Sequence, residues 1–104
     1  VLDNKKIIIG LCNAIVVQPV CEYHEGSNTA LLYLIRLVEQ GQSTDFIINE
    51  IDSNKLKINQ LFKNNGKQVL YGTGKRAGNY GGLCVGRKVV LSNCVYRGAT
   101  KKVF

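Results

Sequence analysis

Gly72-Thr73-Gly74-Lys75-Arg76-Ala77-Gly78-Asn79-Tyr80-Gly81-Gly82 is the stretch on which the reading of this chain turns. Six glycines fall between Gly72 and Gly86. Glycine supplies the positive φ angles a chain needs where it reverses, so the stretch reads as a long hairpin loop. A loop here makes strands of the segments beside it. Gln68–Tyr71 becomes one strand, and Arg87–Tyr96 a long final one. In that last strand Val89, Leu91 and Asn93 face one way, and Val90, Ser92 and Cys94 the other.

Working back from the loop, Asn64-Asn65-Gly66 is a strong hairpin-turn signal. Leu56 and Ile58 alternate with Lys55, Lys57 and Asn59, which suits a strand with one wet face. A helix over 54–64 is the competing reading of that segment. Asp52-Ser53-Asn54 is turn chemistry, and Phe46–Ile51 is a short apolar run. Further back, Leu31, Leu34, Ile35 and Val38 follow i, i+3, i+4, i+7. Ser27, Asn28 or Thr29 can cap this segment and Gly41 ends it, which predicts a helix over about 29–40. Lys5–Val20 is rich in β-branched residues, with Pro19 near its end, and reads as one bent strand or a hairpin.

The expected fold is therefore α+β: an N-terminal strand or hairpin, then one helix packed on an antiparallel meander of about four strands. With 104 residues the chain is expected to be a single domain, residues 1–104. Its 45% apolar content suffices for a core, and no apolar run approaches the roughly 18 residues of a membrane span. The chain has no Met and starts at Val1, so it is expected to be cut from something longer, as a mature secreted protein that has lost its signal peptide would be.

Cys12, Cys21, Cys84 and Cys94 are an even count in a short chain, which predicts two disulfides and a secreted, extracellular location. Three pairings are open. The cysteine gaps of nine and ten positions, beside the lone His24, are too wide for the paired ligands of a structural zinc site, so no metal and no cofactor is expected.

Charge is the most informative feature. Residues 1–52 hold all seven acids and three bases, a net of −4, whereas residues 53–104 hold eleven bases and no acid. A basic face built by the second half would attract nucleic acid, sulfated glycan or anionic lipid. The candidate anion-binding residues are Lys75, Arg76, Tyr80, Arg87, Lys88, Arg97, Lys101 and Lys102, with Tyr80 able to stack on a base or sugar. The same lysines could instead keep strand faces soluble. An acidic half and a basic half could also meet head to tail between copies, making a self-assembling structural subunit. No P-loop or dinucleotide pattern is present in the glycine-rich stretch, and no serine nucleophile elbow or zinc-protease motif occurs elsewhere. Lys75-Arg76 is also a dibasic pair of the kind cut in secreted precursors. The chain thus reads as a binding protein, effector- or toxin-like in its size, cysteine count and basicity, rather than as an enzyme.

Two resemblances accompany this layout. Gln68-Val69-Leu70-Tyr71-Gly72 resembles the Gln-x-Val-x-Gly hairpin of cystatin-type protease inhibitors, with Leu70 in the Val place and two strands intervening after the helix. That resemblance implies inhibition of papain-like proteases through residues 68–72. A hairpin, helix and meander tied by disulfides is also similar to small secreted microbial ribonucleases and the ribonuclease-like effectors of fungi. In that reading His24 with Glu22 would do the acid–base work, since two positions apart on a strand share a face. The strand-borne His and Glu pattern of those enzymes is missing here.

Overall fold

The structure, a computed structural model, describes residues 4–64 and 74–93, with the backbone alone at 62–64. These residues form four helices: α1 (Asn4–Ala14), α2 (Glu22–Glu39), α3 (Thr44–Asn64) and α4 (Lys75–Ser92). No strand occurs among the described residues, so the α+β expectation is replaced by an all-helical fold. The helix-on-sheet layout shared by the two resemblances goes with it.

Each correction has a local cause. In α1, Ile7 and Leu11 lie one turn apart and are both fully buried, so packing overrides the strand preference of Ile7-Ile8-Ile9. The helix expected over 29–40 exists but starts at Glu22. Gly41 closes it: φ is +79°, its N–H donates to Val38 O, and the Gln42 N–H donates to Leu37 O. That pair of bonds is a Schellman ending.

Phe46–Ile51 and Lys55–Asn59 belong to the single helix α3, which also contains the competing 54–64 helix. Ser43 caps it through Oγ accepting from the Phe46 N–H at 3.1 Å. Asp52 and Ser53 are exposed positions mid-helix rather than a turn, and the Asn54 side chain donates back to the Glu50 carbonyl. Arg87–Ser92 continues α4 instead of starting a strand. The expected strand over 68–71 and the Asn64-Asn65-Gly66 turn fall largely or wholly outside the described residues.

The glycine-rich stretch is the largest correction. From Lys75 onward it is helical, and its glycines supply closeness instead of loop geometry. Gly78, Gly82 and Gly86 recur every fourth residue, which puts them on one face of α4. That face lies against α2. A Cβ at Gly78 would collide with the Tyr23 carbonyl, and one at Gly26 with the Lys75 carbonyl. A Cβ at Gly82 would sit 2.6 Å from Ser27 O and 3.0 Å from Ala30 Cβ. Gly86 faces Leu34. Contacts climb together along both helices, so α2 and α4 run parallel with their backbones pressed together.

The remaining helices run the other way. Gly10 faces Val89 and Leu11 lies near Gly86, which sets α1 antiparallel to α4. Arg87 pairs with Asp52 and Lys55 lies over Tyr80, which sets α3 antiparallel to α4. In an ordinary up-and-down bundle α2 and α4 would be the diagonal pair, held apart by the core. Here the glycines let the diagonal collapse. Both α1 and α3 pack on the α2–α4 pair, while α1 and α3 do not approach one another. Ile7, Leu11, Leu31, Leu34, Val38, Ile47, Ile51 and Val90 are fully buried and fill the angles between. The Asn28 side chain fixes the α1–α2 connection by accepting from the Val16 N–H at 2.9 Å and donating to the Val16 carbonyl at 2.8 Å.

Cys12, Cys21 and Cys84 are free thiols, the first two exposed, so the predicted disulfide framework is not formed among the described residues. Cys94 lies outside them. A helical core of this kind closes without cross-links. The inference to an oxidising compartment, which rested on those bridges, loses its ground. No described helix is long and apolar enough to cross a membrane.

Candidate functional site

The antiparallel run of α3 against α4 brings the second half of α3 and the first turns of α4 to one end of the bundle. Lys55 is thereby drawn over Tyr80, one turn from Arg76 on the same face of α4, whereas Lys57, two positions on, points about 200° away from it. Gly74, the N-cap of α4, offers no side-chain cap, and the first turn of α4 contains no acid. The helix-dipole charge at that terminus is thus reinforced by two cations. The start of α2 lies alongside, and Glu25 answers part of the charge through a 3.5 Å ion pair with Lys75.

The structure divides the eight predicted anion-binding residues. Lys75 and Arg76 are exposed at the α4 start. Tyr80 is half-buried with the Lys55 ammonium 5.5 Å from its ring centre, so it is a platform for a cation of the chain itself. Arg87 donates from Nε to Asp52 Oδ1 at 3.0 Å. Arg87 and Lys88 lie about 16 Å further along the axis from Arg76, at the helical rise per residue. Arg97, Lys101 and Lys102 lie outside the described residues, as does the 68–72 segment. The cations brought together are thus Lys75 and Arg76 at the α4 start, with Lys55 one turn along over Tyr80, not the whole set.

His24 sits in the first turn of α2, its ring edge-on to Tyr23 with centroids 6.1 Å apart. Its Nδ1 is enclosed without a hydrogen-bond partner. On a helix Glu22 and His24 point about 200° apart, so the shared face expected of a strand does not form.

A second feature follows from the collapsed diagonal. Because α3 leans on α4 and meets α2 only lightly, a cleft of about 380 Å³ opens along the α2–α3 seam. Its apolar lining comes from Ala30, Ile58 and Leu83. Its polar lining is Tyr33, Glu50, Asn54 and Asn79, with Thr29 at the edge. The Tyr33 hydroxyl donates to Glu50 Oε1 at 2.6 Å. That bond, then burial and the Glu50 charge, push the Tyr33 phenol above its ordinary value of 10.0. The phenol therefore stays protonated and acts as a donor. Asn54 and Asn79 each donate one amide N–H, to the Glu50 and Gly26 carbonyls, at 2.8 and 2.6 Å. The Thr29 hydroxyl donates to the Glu25 carbonyl.

Sequence reasoning missed this cleft. Tyr33 and Glu50 are separated by 17 residues, and only the antiparallel pairing of two helices joins them. Comparison with known proteins finds nothing similar: no family model, no curated protein and no solved structure matches the chain.

Proposed function

We propose that this chain is a helical binding protein that engages an anionic macromolecule through the end of the bundle where α3 finishes and α4 begins. The observation that carries this reading is the exposure of Lys75 and Arg76, with Lys55 one turn along over Tyr80, at a helix start that has no side-chain cap and no acid in its first turn. The target class is a polyanion such as nucleic acid or sulfated glycan, whose repeated charges a cluster of this kind can meet together. Binding of this kind releases counterions, so affinity falls as salt rises, with a slope of about −0.9 per contacted phosphate on duplex DNA.

The experiment is retention on heparin across a salt gradient, against a cation-exchange resin of matched charge. Retention beyond the control is expected. Replacing Lys75 and Arg76 together with Gln should remove it, whereas Glu25→Gln, which frees Lys75, should raise it. Equal elution from both resins, or insensitivity to Lys75 and Arg76, would mean that the net +7 acts only as diffuse charge.

A further inference from the structure

We propose that the cleft on the α2–α3 seam binds a small organic cation: a primary amine carried on a short apolar body. Each side-chain hydrogen bond at the cleft engages a donor. The Tyr33 hydroxyl, the Asn54 amide, the Asn79 amide and the Thr29 hydroxyl are all engaged with oxygen. Asn54 and Asn79 each keep a second amide N–H, so what marks the cleft is its one formal charge, the Glu50 carboxylate. The Glu50 carboxylate keeps Oε2 and spare lone pairs, and Asn54 and Asn79 keep their Oδ1 oxygens.

Charge points the same way. Of the six described acids, Glu25 and Asp52 each have a cation, Lys75 and Arg87 respectively, and Glu22, Glu39 and Asp45 are exposed to water, whereas Glu50 is partly buried in the cleft. Glu50 has none within ion-pair distance among the described residues; its partner is the neutral phenol of Tyr33. Lys55, one turn along α3, is drawn over the Tyr80 ring. A half-buried carboxylate without a counter-charge is an energetic debt that a guest ammonium can settle. The apolar wall of Ala30, Ile58 and Leu83 then receives the body of the guest. The volume of about 380 Å³ lies at the small end of ligand sites, fitting one ring and a short chain. A carboxylate guest of equal shape would meet the like charge of Glu50 and be rejected.

The test uses phenethylamine as the probe, with 3-phenylpropionate as the anionic control and 2-phenylethanol as the neutral one. Binding is followed by the side-chain amide NMR signals of Asn54 and Asn79 in the intact chain. The amine is expected to shift both signals saturably and the carboxylate to leave them in place. Glu50→Gln should weaken the amine about tenfold, the loss of one charge-assisted hydrogen bond. Tyr33→Phe frees Oε1 and should leave amine affinity equal or higher. Two outcomes would overturn the proposal: the amine and the carboxylate shifting the signals alike, or amine affinity unchanged in Glu50→Gln. Absence of any saturable shift at about 10 mM, weaker than the millimolar binding a ligand of this size can reach, would overturn it as well. The unfolding midpoint of each variant separates loss of the site from loss of the fold.

Discussion

Gly78→Ala is the most informative single change in this molecule. At an open helical position this substitution stabilises by about 0.8–1 kcal/mol, because alanine loses less backbone entropy. At Gly78 the new Cβ would lie on the Tyr23 carbonyl and close to the Ser27 amide, both of them backbone atoms that cannot swing aside. The helices must then part, and overpacking of this kind costs about 1–3 kcal/mol. The net expectation is a loss of roughly 1 kcal/mol, read in urea as a midpoint lower by roughly 1 M at a slope near 1 kcal/mol/M. Gly86→Ala is the internal control. Its Cβ meets only Leu34 Cδ1, the tip of a flexible side chain, so gain and loss should nearly cancel. Gly26→Ala opens the same crossing from the α2 side. Combined with Gly78→Ala it should cost less than the sum of the two, by about 0.5 kcal/mol or more, because a crossing already opened need not be opened again. A Gly78→Ala protein with a raised midpoint would refute the close α2–α4 crossing, and with it the origin assigned to the cleft.

Three further outcomes are expected. Asn28→Ala leaves the Val16 N–H and carbonyl without partners and should cost about 1–3 kcal/mol, with faster hydrogen exchange at the Val16 amide; unchanged exchange there would remove Asn28 as the clasp of the α1–α2 connection. Cys12 and Cys21 should react with a thiol reagent in the native, unreduced protein, and Cys84 more slowly; a mass two hydrogens light for any pair would contradict the free thiols. Tyr33 should ionise at higher pH than the free phenol in a spectrophotometric titration, and Glu50→Gln should bring it back toward 10.0. Since its folded pKa is raised, its stabilising effect is complete below the unfolded value and fades as pH climbs through the folded one. An unaltered titration in Glu50→Gln would dismiss the Tyr33–Glu50 bond.

The parts of this fold that were legible in the sequence are those where pattern and packing agree. In α2, Leu31, Leu34, Ile35 and Val38 carry a helical period, and Gly41 marks its end. In α1, the β-branched run argues for a strand, yet Ile7 and Leu11 bury as a helical pair on neighbours the sequence alone does not supply. In α3, Ser43 followed by Ile47, Ile51 and Ile58 at helical spacing was a usable signal, masked by the turn-like Asp52-Ser53-Asn54 on the exposed side. In α4, glycine reads in the sequence as a conformational signal, whereas Gly78, Gly82 and Gly86 serve by their size. A spacing of four separates the two roles, since a loop has no reason to keep it. The charge asymmetry needed no fold to be seen. Which cations lie near one another did need it, because Lys55 comes over Tyr80, one turn from Arg76, only through the direction of α3. The Tyr33–Glu50 pair needed both helices in register and left no trace in spacing.

The glycines of α4 also bear on the order in which the chain folds. Gly78, Gly81, Gly82 and Gly86 each cost about 1 kcal/mol relative to alanine in a helix, so this segment has almost no helix of its own. A peptide of residues 74–93 should show a coil spectrum by circular dichroism. Docking and coiling of α4 are then one event, and its partner surface around Tyr23 lies 55 residues back in the chain. Closure over such a separation is slow compared with local helix formation. During synthesis α1 and α2 can pack as they emerge, but α3, which leans mainly on α4, has little to dock on, and the core stays open until Val90, fully buried in the finished molecule, is available to fill it.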